Sequence, residues 1–333
     1  MPELLRAAEP VGGTQIELGL NAAIVGVRAQ QPQILVVRPG AVDSGDWDAL
    51  PFGPFAPLAH RTLEIGLRAW VKRQTGVDLG YVEQLYTFGD RGRHAEPGDT
   101  ASHFLSVGYL ALTHGAGEEL LGSHWSPWYA YFPWEDWRHG KPEILSREIE
   151  PRLKKWTERA PSPDEPARPL RRAERLKVGF GIGGGFDEEK VVERYELLYE
   201  AGLVTEAARD GRSAARQWNK LPELGRPMAF DHRRILATAM GRLRGKLKYR
   251  PVVFELLPPE FTLLDLQKTV EAISGTLLHK QNFRRLVEQG RLVEATGNVS
   301  TETGGRPAKL YRFRREVVLE RPAPGLRVKA GRA

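Results

Sequence analysis

The sequence feature that most constrains the fold is a pair of short helical segments within residues 262–290. The first begins at Thr262, and Asp265 three residues later completes a capping-box pattern with the shorter acid in place of Glu. It ends at Gly275, and after a short turn a second helical run occupies 279–289. Two short helices joined by a tight, glycine-containing turn are typical of a helix-turn-helix.

The second helical segment has a polar outer face. Phe283, Leu286 and Val287 share one side, so at 100° per residue the remaining positions point away from the core. Arginine can form two hydrogen bonds with guanine, and glutamine or asparagine with adenine, whereas lysine suits backbone phosphates. The alternative is a set of ordinary exposed side chains on a helical bundle. We expect DNA contacts from Lys280, Gln281, Asn282, Arg284 and Arg285.

A two-stranded wing is predicted after this helix. Residues 291–297 and 309–315 have the character of two strands, and a polar, glycine-containing tip separates them. Arg306 and Lys309 beside this tip are expected to reach a minor groove or the flanking phosphates. Helices and wing together predict a winged helix-turn-helix that binds double-stranded DNA.

Charge is unevenly distributed along the chain. Residues 221–333 contain 22 Lys and Arg against 11 Asp and Glu, a balance of +11. The whole chain carries 49 and 42, or +7, so residues 1–220 sum to −4. A basic module joined to a mildly acidic one fits a protein of which one part meets phosphates, although a solvated basic surface would give the same balance.

The N-terminal part has the pattern of a mixed α+β layer. Residues 20–29 and 32–40 are β-branched runs that resemble a hairpin, and 103–113 is a further strand. Between them, residues 60–76 have apolar side chains at helical spacing and end in Gly76, a C-terminal cap.

The middle of the chain changes in composition. Residues 160–169 resemble a flexible or extended linker, and 186–204 have helical spacing. A helix is predicted over 231–248 and a strand-like run over 251–257. The predicted division is 1–160 for the α+β domain, 161–225 for a helix-containing connector, 226–318 for the winged helix-turn-helix and 319–333 for a basic tail.

Composition excludes several classes of protein. The 333 residues suffice for two domains, and no apolar run approaches the roughly 20 residues that span a bilayer. The chain begins without a basic-then-apolar leader, so we expect a cytoplasmic protein with no membrane partner. It contains no cysteine and its eight histidines are scattered, so no disulfide and no structural metal are expected.

The C-terminal third resembles the NrtR family, the Nudix-related transcriptional regulators of NAD metabolism. The similarity runs nearly continuously from 226 to 315 and includes LHKQNFRRLVEQGRLVEATG and GGRPAKLYRF. EQLYTFGDRGRH at 83–94 and SVGYLALT resemble the effector domain of the family, so that the resemblance spans about three quarters of the chain. Residues 150–225 look longer than the usual linker. The nearest branch is the NadQ-like one, associated with repression of de novo NAD synthesis genes.

The resemblance implies a specific architecture and function. The fold would be α+β, with a Nudix-like α/β/α sandwich followed by the winged helix-turn-helix. The protein would be a regulator, acting as a repressor of NAD biosynthesis genes, with an adenine nucleotide as effector: NAD, ATP or ADP-ribose. No further cofactor is required. Because helix-turn-helix proteins usually bind palindromes as two-fold dimers, we expect a homodimer on a palindromic operator.

The Nudix motif, which would span residues 53–77, has lost its acidic cluster. In hydrolases, glutamates on one helix hold the metal ions that activate water. With Gly76 as anchor, two of these glutamates align with Arg73 and Gln74, and the arginine–glutamate pair of the motif becomes Ala69 and Trp70. Arg61 replaces the leading glutamate, Gly53 is two residues out of register, and Glu64 is the only acid in the helix. These changes predict that the domain is not an enzyme and has no catalytic or metal-binding residues.

Arginines in and around this motif could bind the phosphates of a nucleotide without metal. Solvated arginines on an exposed face are the competing interpretation. The alternative function is an active Nudix pyrophosphatase that acts on ADP-ribose or a dinucleotide, and a nucleotide-sensing adaptor that binds another protein also stays open. The candidate ligand-binding residues are Arg38, Arg61, Arg68, Arg73 and Arg91.

Two further motifs have weaker interpretations. Residues 179–185 satisfy the G-x-G-x-x-G pattern, but the charged RAERLKV before them does not resemble a buried parallel strand, which favours a flexible loop over a dinucleotide site. The aromatic run at 125–137 could stack an adenine, but burial against the sheet or a dimer partner is the favoured role.

Overall fold

The N-terminal half of the chain is built on a mixed β-sheet. The computed structural model describes residues 15–38, 47–90, 102–114, 122–162, 164–182, 185–301, 307–320 and 322–326. Within these residues the sheet has six strands: β1 (Gln15–Arg28), β2 (Gln31–Val37), β3 (Phe52–Pro54), β4 (Tyr81–Phe88), β5 (Ser102–Leu112) and β6 (Ser123–Pro127). Their order is β4-β5-β1-β2-β6, with β3 also paired to β1. Only the β1–β5 pair among these strands is parallel.

The predicted hairpin is confirmed in β1 and β2. Val25 lies opposite Ile34, and Ala29 and Gln30 form the two-residue connection. Both connecting residues have positive φ, 45° and 62°. That combination belongs to a type I′ turn, whose twist matches that of the flanking strands. The strand predicted at 103–113 is also confirmed, as β5.

One face of the sheet is covered by helix α1 (Leu63–Thr75), which confirms the helix predicted from its apolar spacing. The Thr62 hydroxyl caps the first turn by accepting a backbone N–H at 3.2 Å. Gly76 ends the helix in the left-handed region, with a φ of 71°. Leu67 and Val71 are fully buried in the core between this helix and the sheet.

Helix α6 (His232–Leu247) covers the opposite face. Ala23 of β1 and Ile235 of α6 lie in the same buried cluster. At the N-terminal end of the helix, the backbone N–H of Leu50 donates to Nδ1 of His232 at 3.0 Å. With a helical layer on each side of the sheet, the predicted α/β/α sandwich is confirmed.

This packing differs from the division predicted at residue 226. That boundary assigns α6 to the C-terminal domain, because its apolar spacing and basic charge resemble those of the helices that follow. In the structure, however, α6 contacts strands β1, β4 and β5 as well as helix α7 (Leu263–Ser274). The helix therefore belongs to the sheet layer by packing and also contacts the next module.

The segment between the sheet and α6 is largely helical. The turns at Trp128–Ala130 and Pro133–Glu135 are 3₁₀ helices, and the π-helix Leu145–Ile149 leads directly into α2. The remaining helices of this segment are α2 (Glu150–Thr157), α3 (Arg172–Phe180), α4 (Val191–Glu200) and α5 (Thr205–Arg209). Within the described residues, no helix combines the length and apolarity needed to cross a bilayer.

The connector is part of the folded body. Helix α4, which confirms the helix predicted within 186–204, packs against α6 and buries Tyr195 and Leu198. Residues 160–169 have no regular secondary structure in their described part, yet Glu165 forms an ion pair with Arg172 of α3. This stretch is thus irregular where it is described, and ionic contacts tie it to the helices beside it.

The C-terminal module is a helix-turn-helix with a wing, as predicted. It consists of α7, α8 (Lys280–Gly290), β7 (Val293–Ser300) and β8 (Ala308–Phe313). The predicted capping box is present, because the Thr262 hydroxyl accepts the N–H of Asp265 at 3.1 Å and the Asp265 carboxylate accepts the N–H of Thr262 at 2.9 Å. Gly275 ends α7 with a φ of 73°.

The strand predicted at 251–257 is wrong. Residues Val252–Leu256 form a 3₁₀ helix. Val252, Val253 and Leu256 are buried, whereas Glu255 is exposed, and this spacing is that of a helical turn rather than the alternation of a strand. A short apolar run fits both patterns, which is why its sequence suggested a strand.

The predicted basic tail at 319–333 is partly structured. Helix α9 (Val317–Glu320) follows the wing, and the N–H of Leu326 donates to the carbonyl of Leu247 at 2.8 Å. Leu326 is buried, so this segment packs against the end of α6. Residues 327–333 lie outside the described part of the chain.

A buried leucine of the connector tests whether this segment stabilises the whole body. Leu198→Ala is expected to lower the free energy of unfolding by about 2–5 kcal/mol, because it leaves a cavity beside α6. Leu170→Ala is the matched control, since Leu170 is 48% exposed and its loss should change stability by less than about 0.5 kcal/mol. The measurement is denaturant unfolding followed by tryptophan fluorescence, and equal midpoints for the two variants would contradict the integration of the connector.

Candidate nucleic-acid interface and ligand site

Helix α8 turns a polar face to solvent. Phe283 and Val287 are its buried side chains, and they anchor it to the core. Its N-cap residue, His279, makes no side-chain capping bond, which leaves the first backbone N–H groups available to an anion. The five predicted contact residues on this helix are all exposed and form no ion pair or side-chain hydrogen bond with another described residue: Lys280, Gln281, Asn282, Arg284 and Arg285.

A groove of about 620 Å³ lies between α8 and the wing. Lys280 and Arg284 line it from the helix, and Lys309 lines it from β8. The structure thereby brings together three residues that the sequence predicted separately. Glu288 contributes one opposing charge to the lining. The other predicted wing residue, Arg306, lies outside the described residues.

The wing is attached to the start of the helix-turn-helix. Phe261 and Tyr311 exchange two backbone hydrogen bonds, of 2.9 and 2.8 Å. Residue 261 thus pairs with β8 directly before the capping box that starts α7. These bonds fix the position of the wing, one wall of the groove, relative to the start of the helix-turn-helix. A surface that binds a ligand of one shape needs such a fixed geometry.

The Nudix-motif positions on α1 are used for packing. The indole of Trp70 lies so close to Gly53 that a Cβ there would be 2.1 Å from the ring, and its Nε1 donates to the Pro54 carbonyl at 2.9 Å. The Gln74 amide donates to the carbonyl of Phe52 at 2.8 Å and accepts its N–H at 3.0 Å. These contacts fasten α1 to β3 where a hydrolase would bind metal.

The remaining acid of this helix has a partner of its own. Glu64 forms an ion pair with Arg68 at 2.8 Å. Across the described residues, no group of three or more Asp, Glu or His is arranged to hold a metal ion. The donor set that a Nudix hydrolase would need is therefore not assembled on this helix.

Two of the predicted ligand-binding arginines, Arg68 and Arg73, lie on α1 and have contacts within the protein. Arg68 is occupied by structural bonds, since it donates to the carbonyls of Leu79 and Gly80 in addition to its pair with Glu64. Arg73 stacks on the Trp70 ring, with its guanidinium 3.7 Å from the ring centre. Five residues correspond to about 140° around a helix, so these two arginines project on different sides of α1.

The other three candidate arginines lie outside helix α1. Arg61 precedes α1 and Arg38 follows β2, and both are exposed. Arg91 lies outside the described residues. Arg68 thus has structural contacts of its own, and ligand binding by Arg38, Arg61, Arg68, Arg73 and Arg91 stays a prediction.

Two buried polar side chains on the other face of the sheet were not predicted. Asn21 of β1 and Ser106 of β5 are 2% and 1% exposed, and the Asn21 amide nitrogen and the Ser106 hydroxyl have no hydrogen-bond partner among the described residues. Asn21 pairs with Gly108 and Gly19 pairs with Ser106, so the two side chains are diagonal neighbours on the face that α6 covers. Buried polar groups normally have a partner, so these two atoms keep hydrogen-bonding capacity that the described side chains and backbone do not use.

Aromatic rings lie beside this polar pair. Phe52 of β3 is directly opposite Asn21, a position in which Cβ atoms are about 5 Å apart. The Phe52 ring contacts those of Phe230 and His232, with centroids 5.2 and 5.3 Å away. The sequence signal for this pair was a polar residue within each of two apolar strands, Asn21 in β1 and Ser106 in β5.

The two weaker motifs have structural explanations. RAERLKV belongs to helix α3, so the glycine pattern at 179–185 lacks the preceding strand of a dinucleotide fingerprint. In the aromatic run, Trp128, Phe132 and Trp134 are fully buried in the core. These observations agree with the non-nucleotide interpretation of each motif.

The fold and the groove define a class of protein: a Nudix-like sandwich followed by a winged helix module with a basic outer face. Residues 253–313 match the family model described as the NrtR DNA-binding winged helix domain. The chain therefore carries an NrtR winged helix domain, which confirms the resemblance for that part, and its N-terminal part has a Nudix-like fold.

Comparisons with individual proteins agree with this assignment. The ADPR responsive transcriptional repressor NtrR of Acinetobacter baylyi is 44% identical over 86 residues, which cover 26% of this chain and 34% of that protein. The match thus spans about a third of the relative. The crystal structure of Shewanella oneidensis NrtR complexed with a 27mer DNA superposes with a TM-score of 0.55 at 21% identity, over 91% of this chain and 95% of that one. A MutT/nudix family protein from Enterococcus faecalis gives 0.51 at 16% identity, over 92% and 90%.

Restoring a Nudix glutamate is expected to weaken the contact between α1 and β3. Gln74→Glu replaces an amide that both donates and accepts with a carboxylate that only accepts, which should cost about 1–3 kcal/mol of unfolding free energy. Arg61→Glu restores an exposed position of the same motif and should change stability by less than about 0.5 kcal/mol. Thermal unfolding of the two variants is the measurement, and an unchanged Gln74→Glu protein would show that the contact has no structural role.

Proposed function

We propose that this protein is a sequence-specific DNA-binding transcriptional repressor of NAD biosynthesis genes, controlled by an adenine nucleotide that binds a non-catalytic Nudix-like domain. The observation that carries the proposal is the groove between α8 and the wing, in which Lys280, Arg284 and Lys309 converge within an NrtR winged helix domain. We assign it to the NadQ-like branch on the sequence resemblance stated above.

Helix α8 suits the major groove of DNA. Its exposed face offers two arginines and two amides, the side chains that read base edges. The uncapped N-terminus and Lys280 are suited to phosphates, which position the protein without reading sequence. Lys309 on the wing extends this basic surface toward a neighbouring groove. A curated relative that is 44% identical over 86 residues is named a transcriptional repressor, which supports the same interpretation.

We infer that the Nudix-like domain has no hydrolase activity. The positions of the lost glutamates are filled by Trp70 and Gln74, whose contacts with β3 leave no room for a metal cluster. Arg73 adds a positive charge at the same place. Because metal-dependent hydrolysis of a pyrophosphate needs a cluster of carboxylates, the domain retains the fold without the chemistry.

We propose ADP-ribose as the first candidate effector, with NAD and ATP as alternatives. The relative from Acinetobacter baylyi is named as responsive to ADP-ribose. The unpartnered Asn21 and Ser106 beside Phe52 offer a place for the adenine ring that all three nucleotides share. Arg38 and Arg61 stay candidates for the phosphates.

We further propose a cytoplasmic homodimer that binds a palindromic operator. A single α8 reads only a few base pairs, and a two-fold pair of such helices gives the length that specific repression needs. The two-fold symmetry of the protein would then match that of the DNA.

Substitution of a predicted base-reading residue should weaken specific binding. Arg285→Ala is expected to weaken affinity for a duplex selected from a random-sequence library by about 5- to 150-fold. This is the effect of losing one bidentate contact, in which the arginine forms two hydrogen bonds with a base. Lys309→Ala should instead weaken binding to all sequences and lower the slope of log affinity against log salt by about 1. Fluorescence anisotropy over a salt series measures both.

The control for these variants is Arg147→Ala. The Arg147 side chain is 73% exposed, lies outside residues 253–313 and forms an ion pair with Glu143, four residues earlier. It should leave both affinity and slope unchanged. If Arg285→Ala binds the selected duplex like the unmodified protein, α8 is not the reading helix.

Removal of the buried amide should weaken nucleotide binding alone. Asn21→Ala is expected to raise the Kd for ADP-ribose about tenfold, the effect of one or two lost hydrogen bonds, without changing operator affinity in the absence of nucleotide. Calorimetry with ADP-ribose, NAD and ATP is the measurement. Asn219→Ala, at an exposed asparagine, is the matched control.

The same samples separate a sensor from an enzyme. With Mg²⁺ or Mn²⁺ present, we expect no cleavage of ADP-ribose or a dinucleotide above background. Metal-dependent turnover that disappears in Glu64→Gln would identify a pyrophosphatase instead. Absence of binding by all three nucleotides would leave the domain as a scaffold.

A further inference from the structure

The C-terminal end of α7 is capped by groups from outside the winged helix module. The last carbonyls of a helix have no partner within it and must find donors elsewhere. Here the carbonyl of Ala272 accepts the Tyr129 hydroxyl at 2.8 Å, and that of Ile273 accepts Nε of Arg244 at 3.0 Å. The carbonyl of Gly275 accepts the backbone N–H of Trp137 at 2.8 Å.

These donors come from two places in the Nudix-like part of the chain. Tyr129 and Trp137 belong to the segment that follows β6, the edge strand paired to β2. Arg244 belongs to α6, which covers the sheet. All three precede residue 253, where the NrtR domain begins. The first helix of the helix-turn-helix is therefore completed by residues of the Nudix-like part.

The turn of the helix-turn-helix is tightly enclosed by the same residues. A Cβ at Gly275 would lie 2.5 Å from the carbonyl oxygen of Glu135, 2.9 Å from the Tyr129 hydroxyl and 3.0 Å from Nη2 of Arg244. With a φ of 73°, this position also strongly favours glycine. Any movement of the Tyr129 segment relative to α6 must therefore move the turn.

Arg244 itself is fixed by a fully buried ion pair. Its Nη1 lies 2.7 Å from Oε2 of Glu135, and the other oxygen of this carboxylate pairs with Arg194 at 2.6 Å. All three side chains are at most 1% exposed. The guanidinium that caps α7 is thus held by the segment after the sheet and cannot turn away independently.

Helix α6 connects this cap to the polar pair on the sheet. Its first residue, His232, contacts Phe52 beside Asn21, and Arg244 lies twelve residues later, about 18 Å along the helix axis. Helix α8 contacts α7 and buries Phe283 and Val287 in the same core cluster as residues of α7. A shift at the sheet end of α6 reaches α8 through the capped turn.

We propose that Tyr129 and Arg244 are positioning residues that set the orientation of α8 according to the state of the nucleotide site. This inference rests on the proposed function, because it needs both a nucleotide and an operator. In the proposed mechanism, a nucleotide beside Asn21 displaces α6 together with the segment after β6, to which the Arg244–Glu135 ion pair binds it. The carbonyls of Ala272, Ile273 and Gly275 follow their donors, and α8 and the wing change their fit to DNA.

The test compares operator binding with and without nucleotide. For each protein, the Kd for the selected duplex is measured by anisotropy in the absence and presence of saturating ADP-ribose, NAD or ATP. A ratio of about 5 to 150 is ordinary for coupled sites. Tyr129→Phe keeps the ring and removes only the hydroxyl, and should reduce this ratio about fivefold while the Kd for the nucleotide changes less than twofold. Tyr249→Phe, at a 43% exposed tyrosine, should keep the full ratio.

A second measurement needs no variant. Hydrogen exchange of the unmodified protein with and without nucleotide should show altered protection in residues 272–290 as well as around Asn21. A change confined to the sheet would overturn the inference, and so would a full ratio in folded Tyr129→Phe. If none of the three nucleotides changes the Kd of the unmodified protein for the duplex, the proposed control by an effector fails as well. If the unmodified protein responds and only the role of Tyr129 is contradicted, the proposed function stands and this inference alone fails.

Discussion

The buried carboxylate of Glu135 joins parts of the chain that are far apart in sequence. It lies after the sheet and binds Arg194 of the connector and Arg244 of α6. Burial opposes its ionisation, but the two guanidinium groups outweigh burial and lower the pKa of Glu135. The two arginines carry one positive charge more than Glu135 neutralises, and they donate further hydrogen bonds to backbone carbonyls, among them those of Gly179 and Glu188. Removing one partner of such a network typically costs about 3–5 kcal/mol, so the sheet, connector and DNA-facing helices keep their positions only together.

Much of the local structure was predictable because its signals are local. Helix α1 has Thr62 and Gly76 at its ends, and the capping box at Thr262 marks the start of α7 in the same way. The outer face of α8 followed from the spacing of Phe283 and Val287 alone. Three of the DNA-contacting candidates also converge on one groove, because helix and wing are close in sequence and in space.

The long-range arrangement was not predictable, because it depends on buried charge. Arg194, Arg233 and Arg244 are at most 1% exposed, although a periodicity analysis treats arginine as a surface residue. The connector thus resembled a linker while it is part of the core. Asn21 and Ser106 were missed for a similar reason, since one polar residue within an apolar strand does not change the strand pattern. The hydrogen bonds of Arg68 to the carbonyls of Leu79 and Gly80 were likewise not foreseen, because they join residues that are distant on the helix pattern.

The hydrogen bond between Leu50 and His232 joins residues 182 positions apart. During synthesis the strands emerge first, yet the helix that covers the inner side of β1 follows only after the connector has been made. Until then Ala23 and Ile34 belong to an apolar surface without its cover. Contacts of such sequence separation form slowly, and exposed strands in the meantime tend to associate with one another. A product that stops before α6 is therefore an aggregation-prone open sheet rather than a smaller working protein.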